Sequence, residues 1–326
     1  MRRADCVAFL KRVLPRFGLC WAGYRKVHRT VCKRLSRRLR ELRLLELEAY
    51  ERRIDTDPAE RARLDAMLRI PVSRFWRDRE LWEWLAETAL PELARDARAS
   101  GSGTLRAWSC GCAAGEEPWG LALLWHLRLA ARFPDPALEI LATDADPAML
   151  ERARAALYAP SSLRELPADL RERGFVEKDG LLRLRPEIRA AVSFLRQDLR
   201  REMPDGPFDL LFCRNLVFTY FARDLRCKMA GRFRERLRPG GLLILGAKER
   251  LPERVEGYAP AAAGLAVHRR LSRGPGGFPR ARPRPPFSRA GRSGSGDRSS
   301  SCGRRSGGSR GGCRSAGNAP LSRAFS

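Results

Sequence analysis

Residues 105–121, Leu-Arg-Ala-Trp-Ser-Cys-Gly-Cys-Ala-Ala-Gly-Glu-Glu-Pro-Trp-Gly-Leu, gather the residue types best suited to gripping a small ligand. Leu105 to Trp108 reads as a short apolar strand, Gly111 and Gly115 bound a loop of small residues, and Pro118 launches an amphipathic helix. Small residues let backbone approach a ligand closely, and a proline in the first helical turn uses a position whose N–H needs no partner. The other amides of that turn lack intrahelical acceptors. This is the anatomy of a nucleotide-type pocket at the carboxyl end of a parallel strand. A phosphate does not suit it. No Lys follows the second glycine, so a P-loop is excluded, and Glu116 and Glu117 would repel a phosphate at the helix start. A neutral or cationic nucleoside fits, and the sulfonium compound S-adenosylmethionine is one. On spacing alone, a purely structural strand-to-helix turn is the alternative.

Two more residues fall at strand ends. Leu138 to Ala142 is a short apolar strand ending in Thr143-Asp144-Ala145-Asp146, with Pro147 opening a helix. A carboxylate at the end of the second strand of a nucleoside-binding fold grips ribose hydroxyls. Asp144 takes that role and Asp146 the helix N-cap, a turn or cap role for Asp144 being the alternative. Asn215 follows the apolar strand Phe208 to Cys213, where its amide can face the ligand. The three histidines, 28, 126 and 268, fall at no strand end near the glycine loop, which disfavours His-based catalysis. Nine scattered cysteines suggest no disulfide framework, and the Cys110-x-Cys112 pair has no partner pair for zinc. It reads as small filler, and no metal site is expected.

The elements that must position these residues come in two textures. Residues 5–68 read as helical, with Val7, Leu10 and Leu14 at helical spacing and a longer helix from about Tyr24 to Leu45. That helix carries Val27, Val31, Leu35, Leu39 and Leu42 on one face and Arg25, Lys26, Arg29, Lys33, Arg34, Arg37, Arg38 and Arg40 on the other. The basic face is either solvated or a docking surface for an acidic helical bundle or RNA. Asp57 is an N-cap with Glu60 at the capping-box position. Residues 69–80 form a hinge, with Phe75 and Trp76 as core anchors and Arg77 at the edge of the cleft between modules. From Leu105 strands and helices alternate. Residues 174–196 stand apart, with a hairpin turning at Asp179-Gly180 and a further strand from Val192, an antiparallel or edge piece of the main sheet. Leu225, Met229, Phe233 and Leu237 mark a helix, Leu242 to Leu245 a strand, and Leu265 to His268 closes the sheet.

The chain has 326 residues and a net charge of +26. Residues from Leu271 carry +11 of it as Arg in a Gly-, Ser- and Pro-rich stretch, leaving +15 on residues 1–270. Residues 271–326 lack the aliphatic content to fold alone and are expected to be disordered. They resemble arginine- and glycine-rich segments that bind RNA, a non-functional extension being the other reading. No apolar run approaches the roughly 20 residues of a membrane span, and no signal-peptide pattern opens the chain. The expectation is a cytoplasmic protein without stable membrane insertion.

Four stretches in order resemble the CheR-type chemotaxis-receptor glutamate methyltransferases: Ser73-Arg74-Phe75-Trp76-Arg77, Ser109 to Pro118, Thr143 to Asp146, and Cys213-Arg214-Asn215 through Tyr220-Phe221. The resemblance covers about residues 5–270. It implies an N-terminal all-α domain over 1–70 and, over 71–270, a Rossmann-like α/β class I methyltransferase domain with a β-subdomain near 174–196. It further implies methyl transfer from S-adenosylmethionine to glutamate side chains of a chemoreceptor-like protein. By position the cofactor residues are Ser73, Arg77, Gly111, Glu117, Asp144, Asp198, Leu199, Asn215 and Leu216, with Arg77 and Tyr220 at the methyl-transfer centre. The chain departs from the pattern in having Ser73 for Thr and Trp76 for Phe. It also has four residues, where the family has three, between Asn215 and Tyr220. The loop at Lys178-Asp179-Gly180 is short, so docking of a receptor tail peptide there is not expected. A glutamate, with a pKa of about 4.3, is already ionised at neutral pH and needs no general base, in keeping with the missing histidine. Other readings are an RNA or small-molecule acceptor, and a non-catalytic scaffold of the same fold.

Overall fold

A computed structural model describes residues 2–272. The arginine-rich stretch expected to be disordered lies, beyond residue 272, outside the described residues. The chain opens with helices Arg3–Val13, Trp21–Tyr24, His28–Glu41, Leu47–Thr56 and Pro58–Leu68. The long helix expected from Tyr24 to Leu45 is therefore interrupted: Tyr24 ends one turn, and a new helix starts at His28. Val31, Leu35 and Leu39 are buried as their spacing predicts. In the first helix the buried face is Cys6, Phe9, Leu10 and Val13; Leu10 and Leu14 are buried as their spacing predicts, and Val7 is only half-buried, its place on the face taken by Cys6. Cys6 is also joined to Cys32 by a disulfide linking the first and third of these helices. Scattered spacing hid this bond, because residues 26 apart meet only once the helices pack.

Asp57 caps as expected, its Oδ1 accepting from the amides of Ala59 and Glu60. Glu60 does not complete a capping box. Its carboxylate turns inward, 3% exposed, and takes two hydrogen bonds from the Arg38 guanidinium and one from the Tyr50 hydroxyl. Arg38, drawn from the basic face, thus serves the core. Arg34 does likewise, donating to the carbonyls of Met67 and Arg69.

Seven strands form the main sheet in the order β6-β2-β1-β7-β8-β10-β9. They are β1 Thr104–Cys110, β2 Ala137–Asp144, β6 Val192–Arg196, β7 Phe208–Cys213, β8 Leu237–Leu245, β9 Tyr258–Pro260 and β10 Val267–Arg270. The first five in that order are parallel, and β10 runs antiparallel to both neighbours. The strand at Val267 is therefore internal, and β9 is the edge. β6 joins this sheet in parallel beside β2, whereas the hairpin of β4 Phe175–Lys178 and β5 Leu181–Leu184 pairs with β3 Leu157–Tyr158 in a separate three-stranded sheet. At the hairpin turn Asp179 and Gly180 have φ of 52° and 71°, the paired positive values that an Asp-Gly type I′ turn requires. The α/β architecture is the class I methyltransferase arrangement that the resemblance implies.

Every residue of β7 is buried, as a central parallel strand demands. On one face Trp82 stacks on Trp76 and Phe212, with Trp119 nearby in the same core. On the other, Trp108, Phe208 and Phe233 share one buried cluster with Phe9, Tyr24, Leu35 and Tyr50 of the N-terminal helices. Those helices thus cover one face of the sheet. No described helix is long and apolar enough to cross a membrane.

Arg38 holds the Glu60 carboxyl below its ordinary pKa, with Tyr50 helping and burial opposing. A carboxyl whose pKa falls on folding adds stability above its unfolded pKa and loses it as pH falls through the folded value. Glu60→Gln should cost about 1–3 kcal/mol at pH 7, where Arg38 loses its inner partner. In urea titrations the gap between wild type and variant should narrow below about pH 4, the range of a free carboxyl. A gap independent of pH would exclude the ion pair as its source.

Candidate active site at the carboxyl ends of the parallel strands

The glycine loop is held from β2. The amides of Gly111 and Cys112 both donate to the Thr143 carbonyl, at 2.8 and 3.0 Å. Ala113, at φ 49°, donates its N–H to Asp144 Oδ2 at 2.9 Å, while Asp144 Oδ1 accepts from the Asp146 amide at 2.8 Å. Each Asp144 oxygen therefore spends one lone pair on backbone and keeps another for a ligand. Burial pushes the Asp144 carboxyl up, opposed by those two hydrogen bonds. Gly111 has φ 73°, and a Cβ there would stand 2.5 Å from Leu216 Cδ2, so this position demands glycine. Asp146 caps the next helix by accepting from Ala148, as expected.

The two glutamates do not act as a pair of open charges. Glu117 accepts from Ser109 Oγ at 2.7 Å and from Arg214 Nη1 at 3.2 Å. Glu116 is buried; burial raises its carboxyl pKa, against its own backbone amide and the Ser73 hydroxyl, and Oε2 has no partner. Of the two glutamates expected to repel a phosphate at the helix start, Glu117 is thus already matched by the Arg214 guanidinium, whereas Glu116 is withdrawn from water with one oxygen unpartnered.

Arg214 ties three segments together. Its Nη2 donates to Asp78 Oδ2 and to the Arg77 carbonyl, both at 2.7 Å, while Nη1 reaches Glu117. Arg77 lies between Trp76 and Asp78, non-glycine residues at φ 58° and 62°, each a strain of about 1–2 kcal/mol. The Arg77 carbonyl also accepts from Trp82 Nε1 at 3.0 Å, so this turn is fixed by groups beyond itself. The Arg77 guanidinium then approaches Asn215 Oδ1 at 3.4 Å.

Asn215 opens the third wall at φ 54°. In the one-turn helix Val217–Tyr220, Thr219 hydrogen-bonds to Glu249, and Tyr220 lines the cavity, edge-on to Tyr24 with ring centroids 5.2 Å apart. Burial raises the Tyr220 hydroxyl pKa, opposed by Arg77. Across the cavity Asp198 accepts from Arg200, which makes two further bonds to Asp65 of helix Pro58–Leu68; Arg69 donates to Asp65 and to the Ala145 carbonyl. The N-terminal helices are therefore bolted to the cavity rim.

All ten site residues named from the sequence, from Ser73 to Tyr220, line one cleft with about 1240 Å3 of empty volume, part of it open to solvent. They come from the glycine loop and its helix (Gly111, Glu117), the end of β2 (Asp144), the stretch after β6 (Asp198, Leu199), the segment after β7 (Asn215, Leu216, Tyr220) and residues 69–80 (Ser73, Arg77). No histidine lines the cleft. Arg200, Asp65, Arg69 and Glu249 were missed. Arg200 stood two residues from a named aspartate, but nothing local marks Glu249, 34 residues from Asn215. The cleft, its glycine floor and the spare acceptor positions of Asp144 fit an S-adenosylmethionine-sized nucleoside.

Arg214 is 5% exposed, so removing its charge strands Glu117 and Asp78. Arg214→Met should lower unfolding free energy by about 2–4 kcal/mol, less than full burial implies because Asp78 can hydrate. Urea denaturation measures it. A loss below about 0.5 kcal/mol, the scale of a surface change, would show that the turn at Arg77 holds without this guanidinium.

A family model described as CheR methyltransferase, SAM binding domain, matches residues 71–263. A chemotaxis protein methyltransferase of Listeria innocua serovar 6a is 36% identical over 202 residues, covering 62% of this chain and 71% of that protein. Chemotaxis protein methyltransferase 2 of Pseudomonas aeruginosa is 33% identical over 225 residues, covering 67% of this chain and 77% of that protein.

Proposed function

The chain belongs to the CheR methyltransferase family, and on that premise we propose that it methylates glutamate side chains of a chemoreceptor-like signalling protein, forming glutamate methyl esters. Its cofactor is S-adenosylmethionine. The observation that carries the choice of acceptor is a cavity with a guanidinium and a carboxamide at one end and no histidine in its wall. Such a site can orient an anion, and an acceptor that is already ionised needs no proton removed. A glutamate carboxylate is the acceptor that needs only this.

When bound, the cofactor supplies an electrophilic sulfonium methyl. The free lone pairs of Asp144 hold the ribose hydroxyls, Gly111 lets the loop backbone come close, and Leu199 and Leu216 give apolar walls. Arg77 and Asn215 would orient the acceptor carboxylate toward the methyl, the alignment that a direct displacement requires. Tyr220 and Tyr24 exclude water from that end. Ser73 and Glu117 shape the rim, Glu117 through its bond to Arg214. Asp198 reaches the nucleoside from the opposite side with the lone pairs that Arg200 leaves free.

Residues 1–70 serve as a docking domain and 71–270 as the catalytic domain. Arg25, Lys26, Arg29, Lys33, Arg37 and Arg40 remain exposed along the basic helical segment, after Arg34 and Arg38 have turned to their own chain. Four cations on the helix His28–Glu41 and two in the turn before it would steer an acidic helical partner towards the cleft, with an ionic-strength-dependent rate.

The test is labelling of a bacterial lysate with methyl-tritiated S-adenosylmethionine. Label should enter protein and be released by mild alkali, as a methyl ester requires; nuclease-sensitive label would overturn the reading in favour of RNA. Arg77→Ala should cut the rate at least about 100-fold, near 3 kcal/mol of transition-state stabilisation, with cooperative unfolding retained. Asp144→Asn should weaken S-adenosylhomocysteine binding about 10-fold or more in calorimetry. Because burial raises the Asp144 pKa, wild-type affinity should start to fall on acidification at a pH above the roughly 3.9 of a free aspartate. Equal affinity of Asp144→Asn and wild type would remove Asp144 from the cofactor site.

A further inference from the structure

Glu249 follows β8 and lies outside the cavity lining, yet its carboxylate is 4% exposed and fully engaged. Oε2 accepts from the Asn215 amide at 2.7 Å and the Gly246 amide at 2.8 Å, and Oε1 accepts from Thr219 Oγ1 at 2.7 Å. The Leu216 amide adds a further backbone hydrogen bond. Burial raises the carboxyl pKa against these donors. An anion held by successive amides and a hydroxyl is a nest closed by the chain's own side chain.

What the nest holds gives it meaning. Its donors belong to the turn after β8 and to the Asn215–Tyr220 segment, whose residues form the third wall of the cleft. Asn215 sits at φ 54°, an uncommon conformation for a side-chain-bearing residue, and its amide is the one Glu249 captures. The Asn215 carboxamide passes over Gly246 so closely that a Cβ there would lie 2.8 Å from Oδ1. That same Oδ1 meets the Arg77 guanidinium. Thr219, bonded to the other carboxylate oxygen, fixes the short helix that turns Tyr220 to the cavity.

We propose that Glu249 is a positioning residue for methyl transfer, pinning the Asn215–Tyr220 segment and so setting where Asn215 meets Arg77 and where Tyr220 faces the acceptor. This rests on the function proposed above and names a residue that the sequence did not mark. Glu249 touches neither cofactor nor acceptor. Its effect falls on alignment more than on cofactor affinity: of the nucleoside's neighbours it holds Asn215 and Leu216 by their amides, while Asp144, Gly111 and Leu199 grip the nucleoside from segments that Glu249 does not contact.

Glu249→Gln keeps the shape and replaces one accepting oxygen by a donor, so at least one of Asn215, Gly246 and Thr219 loses its acceptor. Three quantities are compared with wild type in the full chain: lysate methylation rates against S-adenosylmethionine concentration, S-adenosylhomocysteine affinity by calorimetry, and amide hydrogen exchange over residues 213–221. The expected result is a kcat lower by about tenfold or more, as for a misaligned reacting group, with affinity changed no more than about threefold. Exchange at 215–219 should rise about tenfold while the sheet core stays protected. Thr219→Val, which removes one donor and leaves the carboxylate, should lower kcat in the same direction by a smaller factor, and it decides the matter if Glu249→Gln does not fold. Unchanged kcat in a folded Glu249→Gln, or in Thr219→Val where that variant alone folds, overturns the proposal. So does a lower kcat with unchanged exchange, or a loss confined to affinity. A wild type that binds S-adenosylhomocysteine but labels no protein overturns the function instead, while exchange and affinity still decide whether Glu249 pins the segment.

Discussion

A buried guanidinium must be met by acceptors on several sides, and Arg214 finds them on two segments distant from its own. Glu117 lies 97 residues away in sequence and Asp78 lies 136 away, so the contact exists only when the glycine-loop helix, the turn at Arg77 and the end of β7 have all arrived. The turn at Arg77 most needs such support. Two adjacent positive-φ side-chain residues flank it, and left alone they would relax. Arg214 and Trp82 both bond its central carbonyl, and the Trp76–Trp82 stack buries what the turn displaces. The backbone of Arg77 is thereby fixed before any ligand is considered.

Asp144 solves a similar problem with the opposite charge. Its two oxygens anchor the loop after β1 and the start of the helix after β2, so one carboxylate shapes the cavity floor and keeps acceptor positions open to the cavity. Glu249 spends its acceptors wholly on protein donors, and Glu117 is matched by Arg214. The three carboxylates look alike in sequence and differ in how many lone pairs the fold leaves free.

That difference explains what could be read in the chain. The ends of β1, β2 and β7, the Asp57 and Asp146 caps and the Asp179-Gly180 turn are local events, written within a few residues, and they appear where patterning put them. Ten residues spread from 73 to 220 share one cleft; the resemblance supplied Ser73, Asp198, Leu199, Leu216 and Tyr220, while the glycine loop, Asp144 and Asn215 were legible from strand ends. Pairings across the fold were not. Arg38 looked like one cation in a solvated stripe until Glu60 and Tyr50 were placed beneath it. The break before His28 and the Cys6–Cys32 bond likewise depend on how helices meet. The charge of Glu116 and Glu117 was misjudged for the same reason: their residue types were visible and their partners were not.

The position of the N-terminal helices has a mechanical consequence. Asp65 belongs to the last of them, Asp198 to the cavity wall, and one arginine, Arg200, bonds both. Arg69 continues the chain of contacts to the Ala145 carbonyl, one residue past Asp144. Tyr24 packs against Tyr220, and the Cys20 amide donates to the Tyr220 carbonyl. A force on the helical segment therefore reaches both Asp198 and Tyr220 at the cleft through short, directional contacts. Salt would weaken an exposed basic helix in its attraction for a partner, but it barely screens the Arg200–Asp65 bridge, whose side chains are 21% and 16% exposed. Ionic strength should thus change how often a partner arrives and leave the geometry that it meets intact.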